Sequence, residues 1–306
     1  MKKNRNTLGI KIASIIVALL LTLSCSNITY AESDLIIISA EDAVQKIEAG
    51  YTVIDAQKAS SYNKEHIKGA VNIERSSINV STPVPNSVAP ESIIKIVAGE
   101  AGLKNDTDII IYDDNKNMDA SRLLWTLKSY GHSGDLLIVA SGLSGLKAEG
   151  LEVSNSNVAV DTTVYETKAF NKNSIIGMDV ISSMIDNPDD TFKLIDVRGD
   201  DEYEAGTIPG AIHINHENNL TDDFSFRTVK QIRSLYKKNG IVPEDNIAMF
   251  CKSSIRAANT YVALYNAGYR NIRVYDGAWL QWSKEKMPVF VPEKTVAVTM
   301  SQEDNS

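Results

Sequence analysis

Ala248-Met249-Phe250-Cys251-Lys252-Ser253-Ser254-Ile255-Arg256-Ala257-Ala258 carries an apolar run into a cysteine and then, through four residues, to an arginine. Ile247 to Phe250 predicts a buried strand, and Ala257 to Ala267 predicts a helix stopped by Gly268. A strand end, a tight loop and a helix start gather backbone N–H groups and the positive end of a helix dipole around one sulfur. Lys252 and Arg256 add full positive charges beside it. Each effect favours thiolate over thiol, so the stretch predicts a reactive cysteine. A buried cysteine acting as a small hydrophobe is the alternative. It explains neither the charges nor the helix start.

Outward from this stretch the chain alternates strands and helices. Leu35–Ile38, Tyr51–Asp55, Asp108–Tyr112 and Asp135–Ala140 read as strands. Between them, Ala40–Ala49, Glu91–Gly102 and Met118–Tyr130 read as helices, the last with Ala120, Leu123, Leu124 and Leu127 on one face. Alternation of this kind implies an α/β fold built on parallel sheets. The pattern then repeats. Leu194-Ile195-Asp196-Val197 echoes Val53-Ile54-Asp55-Ala56, Tyr203 to Ile214 echoes Tyr62 to Ile73, and Asn246–Phe250 echoes Asp108–Tyr112. An offset of roughly 140 residues makes this a duplicated domain, in line with about two domains for 306 residues. Residues 32–151 form the first copy, 152–173 the linker, 174–293 the second copy and 294–306 a polar tail. In the first copy the strand ends at Tyr112-Asp113-Asp114-Asn115, so an acidic cluster stands where the second has its thiol. Only the second copy is expected to be catalytic.

Loop size narrows the chemistry. Cys251 to Arg256 spans six residues, one fewer than the Cys-x5-Arg loop that wraps a tetrahedral phosphate in cysteine phosphatases. A smaller group, such as a terminal sulfur, fits better, which argues against a phosphatase or arsenate reductase. This loop, with Ile195-Asp196-Val197-Arg198, Gly206-Thr207-Ile208-Pro209-Gly210-Ala211 and Tyr275-Asp276-Gly277-Ala278-Trp279-Leu280-Gln281-Trp282, resembles the rhodanese family. In order and spacing the motifs are similar to those of tandem-domain thiosulfate or 3-mercaptopyruvate sulfurtransferases.

The resemblance implies two rhodanese-like domains, each a five-stranded parallel sheet flanked by helices, with the cleft between them. It also implies that Cys251 takes sulfane sulfur from a small anionic donor, holds it as a persulfide, and passes it to cyanide or a thiol. Backbone N–H groups of Ser253, Ser254, Ile255 and Arg256 would hold the persulfide charge, and Lys252 and Arg256 would attract the donor. A carrier that binds persulfide without fast turnover is the alternative function. Ser254 replaces a glycine common in the family, a residue that permits positive φ. Glu202 replaces a donor-binding arginine, and Thr207 replaces a histidine that the first copy keeps as His66. Asp196 is expected to pair with Arg256 or Arg198, and Trp279 and Trp282 to form core or cleft wall.

Charge and composition bound the rest. The chain has 31 Lys+Arg against 39 Asp+Glu, net −8. Four of the basic residues and none of the acidic ones lie in 1–31, so 27 against 39 remain beyond it, net −12. Such a surface does not predict nucleic-acid binding. Lys2, Lys3, Arg5 and Lys11 followed by apolar Ile12 to Leu23 read as a signal peptide, cleaved after Ala31. A lipid on Cys25, attaching the chain to a membrane, is the rival reading. Both place the protein outside the cytoplasm. With no Cys-x-x-Cys pair, a thiol–disulfide oxidoreductase is disfavoured. His213 and His216 lack a third ligand at metal spacing. No metal and no organic cofactor is expected.

Overall fold

The computed structural model describes residues 35–293. The expected leader 1–31 with Cys25, and the expected tail 294–306, lie outside the described residues.

Two parallel sheets form, one from each half. In the first, the strand order is Ile37–Ile38, Leu136–Val139, Ile109–Tyr112, Thr52–Asp55, Val71–Asn72. The second runs Ile212–His213, Phe192–Asp196, Asn246–Phe250, Ile272–Val274. Four strands make up this second sheet. Its fifth place is marked by one parallel bridge, Ile175 to Val274, where the first sheet has Ile37–Ile38. The central strand Ile109–Tyr112 is apolar and buried along its whole length, as expected where helices cover both faces of a sheet.

Register fixes the position of the reactive loop. Asp196 lies beside Phe250, so Asp196 and Cys251 reach the same carboxyl edge of the sheet. Ligands bind at that edge in open α/β folds. In the first half, Asp55 beside Tyr112 gives the equivalent edge.

The two halves meet along a helix pair, Met118–Ser129 against Ile255–Asn266. Ala120, Leu123, Leu124 and Leu127 are buried as their spacing predicts, but Asp119, Ser121, Arg122 and Thr126 are buried too. The helix lies between its own sheet and the other domain's helix, so it has almost no solvent face. One apolar cluster therefore runs through both halves, from Ile54 and Leu124 to Ile195 and Val262.

Residues 152–173 return along the first domain. Val153–Ser154 pairs antiparallel with His66–Ile67, Tyr165 is buried, and Lys168 and Asn171 donate from their backbones to Tyr130 and Ser129. The polarity of this stretch reflects its outer side, while its backbone is tied down.

Candidate active site

Cys251 follows the last residue of the Asn246–Phe250 strand and is 1% exposed. It is the only thiol among the described residues. Ser254 caps the next helix with φ +65°, ψ −7°, the left-handed conformation that the tight loop requires. The first turn of that helix carries N–H groups with no intrahelical acceptor, a short loop away from the sulfur in sequence.

The first domain shows what such a loop holds. Asn117 caps its helix in the same left-handed conformation, φ +59°. Asp113 follows the strand as Cys251 does, and its carboxylate fills the loop. Oδ1 accepts from the N–H of Asn115 and Asn117 at 2.8 and 2.9 Å, and Oδ2 from Asp119 and Ala120 at 2.8 Å each. Burial and Asp119 push this carboxyl up to about 7, and the backbone donors pull against that rise. The loop is an anion cradle, occupied in the first domain by its own side chain. A cavity of about 360 Å³ beside it, reaching Ser141 and Phe224, has no nucleophilic thiol.

Each domain closes the other's loop. From the first domain, the buried Arg122 donates Nη1 to Ser254 Oγ at 3.0 Å and to Asp276 Oδ1 at 2.9 Å. Its Nη2 donates to the Asn86 carbonyl at 2.8 Å and its Nε to Asn79 Oδ1 at 2.9 Å. Ser254 Oγ donates on to Asp276 Oδ1 at 2.7 Å, Val88 N–H donates to Asp276 Oδ2 at 2.8 Å, and Asn86 Nδ2 donates to Ser253 Oγ at 3.1 Å. Reciprocally, Asn259 of the second domain donates to the carbonyls of Lys116 and Asn117 at 3.3 and 3.4 Å. Arg122 and Asn86 play no part in the motif reading of the sequence, and Asp276 enters it only within the Tyr275 to Trp282 motif, without a role of its own. Aligning the duplicated helices offered one signal, since Arg122 and Asn259 fall at matching polar positions in otherwise apolar patterns.

The cations are committed unequally. Arg198 pairs with Asp196, Nη2 to Oδ2 at 2.5 Å, donates to the Gly206 carbonyl at 2.6 Å, and lies 4.3 Å from the Trp279 ring. Thr207 Oγ1 also donates to Asp196, at 2.8 Å, so Asp196 orients Arg198 rather than Arg256. Arg256 instead makes a two-pronged pair with Glu202, at 2.5 and 3.0 Å. Burial opposes the charge of Arg256, but Glu202 and the charge of Cys251 raise its pKa overall. Arg256 in turn lowers the pKa of Glu202. Lys252 is exposed at the loop tip.

A cavity of about 310 Å³ opens at Lys252, lined by Arg198, Glu202, Ala205, Gly206 and Trp279. All of these belong to the second domain, because residues 79–88 of the first seal the far flank of the loop. Trp282 is core and Trp279 is wall. His213 stacks on Tyr203 at 4.2 Å. His216 is buried near Arg256, and burial together with that charge pushes it down to about 4. Among the described residues no group of three or more His, Cys, Asp or Glu could hold a metal ion.

Comparison with known proteins agrees with this geometry. The profile of the rhodanese-like domain matches residues 39–149 and again 178–285. The thiosulfate sulfurtransferase of Corynebacterium glutamicum is 25% identical over 288 residues, covering 87% of this chain and 93% of the relative. The sulfur carrier protein TtuD of Thermus thermophilus is 27% identical over 240 residues, covering 72% and 83%. The crystal structure of SseA from Escherichia coli, a 3-mercaptopyruvate sulfotransferase, shares the fold with TM-score 0.72 at 23% identity, covering 80% of this chain and 99% of that one.

Proposed function

The chain belongs to the family of rhodanese-like domains, present in two copies, and from that premise we propose that it is a sulfurtransferase whose second domain carries sulfur on Cys251. The observation that carries the proposal is the Cys251 loop. Its left-handed cap matches the one at the anion cradle Asp113 fills, but with a thiol at its base and Arg256 in the first turn of the following helix.

The chemistry follows from these groups. The Cys251 thiolate attacks the outer sulfur of the donor. With thiosulfate the S–S bond breaks and sulfite leaves with the electron pair; with 3-mercaptopyruvate the C–S bond breaks and the organic fragment takes a proton to leave as pyruvate. The resulting persulfide anion lies among the N–H groups of Ser253, Ser254, Ile255 and Arg256, which stabilise it as an oxyanion hole stabilises oxygen. Cyanide or a thiol then takes the terminal sulfur and regenerates the thiolate.

Sulfur transfer to cyanide by the purified protein, with each donor, tests this. Loss of transfer in Cys251→Ser supports it. A folded protein that gains one stable sulfur on Cys251 without turnover is a carrier instead, and one that gains none sinks both readings. Export is a separate proposal, supported by the basic and apolar leader 1–31. Fractionation of cells expressing the full chain checks it, since protein retained in the cytoplasm at full length contradicts it.

A further inference from the structure

Two carbonyl groups of the Cys251 loop are held by the start of the helix Ala278–Lys284. Trp279 N–H donates to the Cys251 carbonyl at 2.9 Å, and Leu280 N–H to the Lys252 carbonyl at 3.2 Å. In a planar trans peptide the N–H points opposite to the C=O. The Ser253 N–H shares its plane with the Lys252 carbonyl, so it is turned away from this helix. In the first domain the matching groups end on an anion. Leu143 N–H donates to the Asp113 carbonyl at 3.0 Å, as Trp279 does to Cys251. The Asn115 N–H, two residues past Asp113 as Ser253 is past Cys251, donates to the Asp113 carboxylate at 2.8 Å. The turn before these donors differs between the copies. Gly142 precedes Leu143 at φ +57°, where glycine is at ease, but Ala278 precedes Trp279 at φ +52° and is fully buried. Left-handed backbone is costly for alanine, and such strain persists where the surrounding structure enforces a geometry.

We infer that Ala278, Trp279 and Leu280 are positioning residues for the sulfur chemistry, acting through their backbone. By holding the carbonyls of Cys251 and Lys252, they fix the Ser253 N–H toward the anion on Cys251, the thiolate first and the persulfide after it. This rests on the reading of Cys251 as the sulfur-accepting residue and specifies what orients its loop. The opposite orientation of the Lys252–Ser253 peptide would present a carbonyl oxygen to that anion and take one donor from it. It would also set the Ser253 N–H against the Leu280 N–H, donor against donor, and leave the latter without its acceptor. The Leu280 N–H therefore selects the orientation that receives negative charge.

The test is the pH profile of Cys251 alkylation by iodoacetamide in wild type, Leu280→Pro and Ser283→Gly. Proline in a first helical turn removes one N–H that has no intrahelical acceptor, so Leu280→Pro deletes the bond to Lys252 and little else. Ser283→Gly weakens the same helix at an exposed position and keeps both donors. Leu280→Pro is expected to move the alkylation midpoint up by about one pH unit, a tenfold loss of thiolate below it, while Ser283→Gly changes it less than twofold. An unmoved profile in Leu280→Pro, or equal shifts in the two variants, overturns the inference. Should Leu280→Pro not fold, wild type decides by nuclear magnetic resonance. The Ser253 amide proton must then move downfield through the same midpoint as Cys251, and one that stays in place overturns the inference. None of these readouts needs turnover. A wild type that transfers no sulfur but shows the shift keeps the positioning role while the sulfurtransferase reading falls.

Discussion

Arg122 donates to Ser254 Oγ at 3.0 Å although the two residues lie 132 positions apart, in different domains. The serine passes the bond on to Asp276 Oδ1 at 2.7 Å, so its hydroxyl both accepts and donates. A residue that the local backbone would prefer to be glycine is kept in its left-handed conformation by a side chain from the other domain.

Ser254→Ala and Ser254→Gly separate the two contributions. Both lose the hydroxyl, at about 1 kcal/mol each for bonds of this kind. Only alanine keeps the strain of φ +65°, roughly 1 kcal/mol. Chemical denaturation should rank wild type above Ser254→Gly, and Ser254→Gly above Ser254→Ala by about 1 kcal/mol. Equal stability of the two variants would show the loop has shifted.

Arg122→Ala leaves Asp276 buried without its cation, with an expected loss of about 3–5 kcal/mol. Where the variant still folds, sulfur transfer should drop about tenfold to a hundredfold, because the loop loses its outer support. Arg122→Lys keeps the charge but not the fork that reaches Asn79 and Asn86, and should fall between. An unfolding curve and a rate on each variant suffice. Unchanged activity in Arg122→Ala would show that the first domain does not position the site.

Asp113→Asn removes one of the two oxygens that accept from four N–H groups, and its new amide N–H points donor against donor. Stability should fall by about 2–4 kcal/mol. Activity per folded molecule should stay near wild type, as measured below the melting temperature of the variant.

His216 predicts a pH dependence of known sign. Its pKa is lowered from 6.5 to about 4 in the fold, by burial first and by Arg256 second. The unfolded chain therefore takes up a proton as pH falls below 6.5, while the folded chain resists until about 4. The contribution is full above pH 6.5 and is lost through that window, with a slope of at most about 1.4 kcal/mol per pH unit. Denaturation midpoints from pH 7.5 to 4.5 should fall less steeply in His216→Gln than in wild type.

The sequence made the strand–loop–helix around Cys251 legible because its signals are local: an apolar run, a helix stop, and charges within six residues. Duplication was legible for a similar reason, since each echo is a short motif. The contacts that complete the site were not. Arg122 hides in a helix whose apolar spacing predicts one buried face, and only the second domain's helix buries the other. Glu202 and Arg256 are 54 positions apart, and Asp196 was equally able to claim either arginine until the register placed Arg198 over it.

Asp113 has one further consequence. A carboxylate fixed to the loop it fills acts as a ligand that cannot diffuse away, at an effective concentration far above that of any dissolved donor. The first domain is thus saturated as soon as it folds. Small sulfur anions therefore meet a chain with two look-alike seats of which only one is ever vacant, and none of the donor pool is lost to an idle twin.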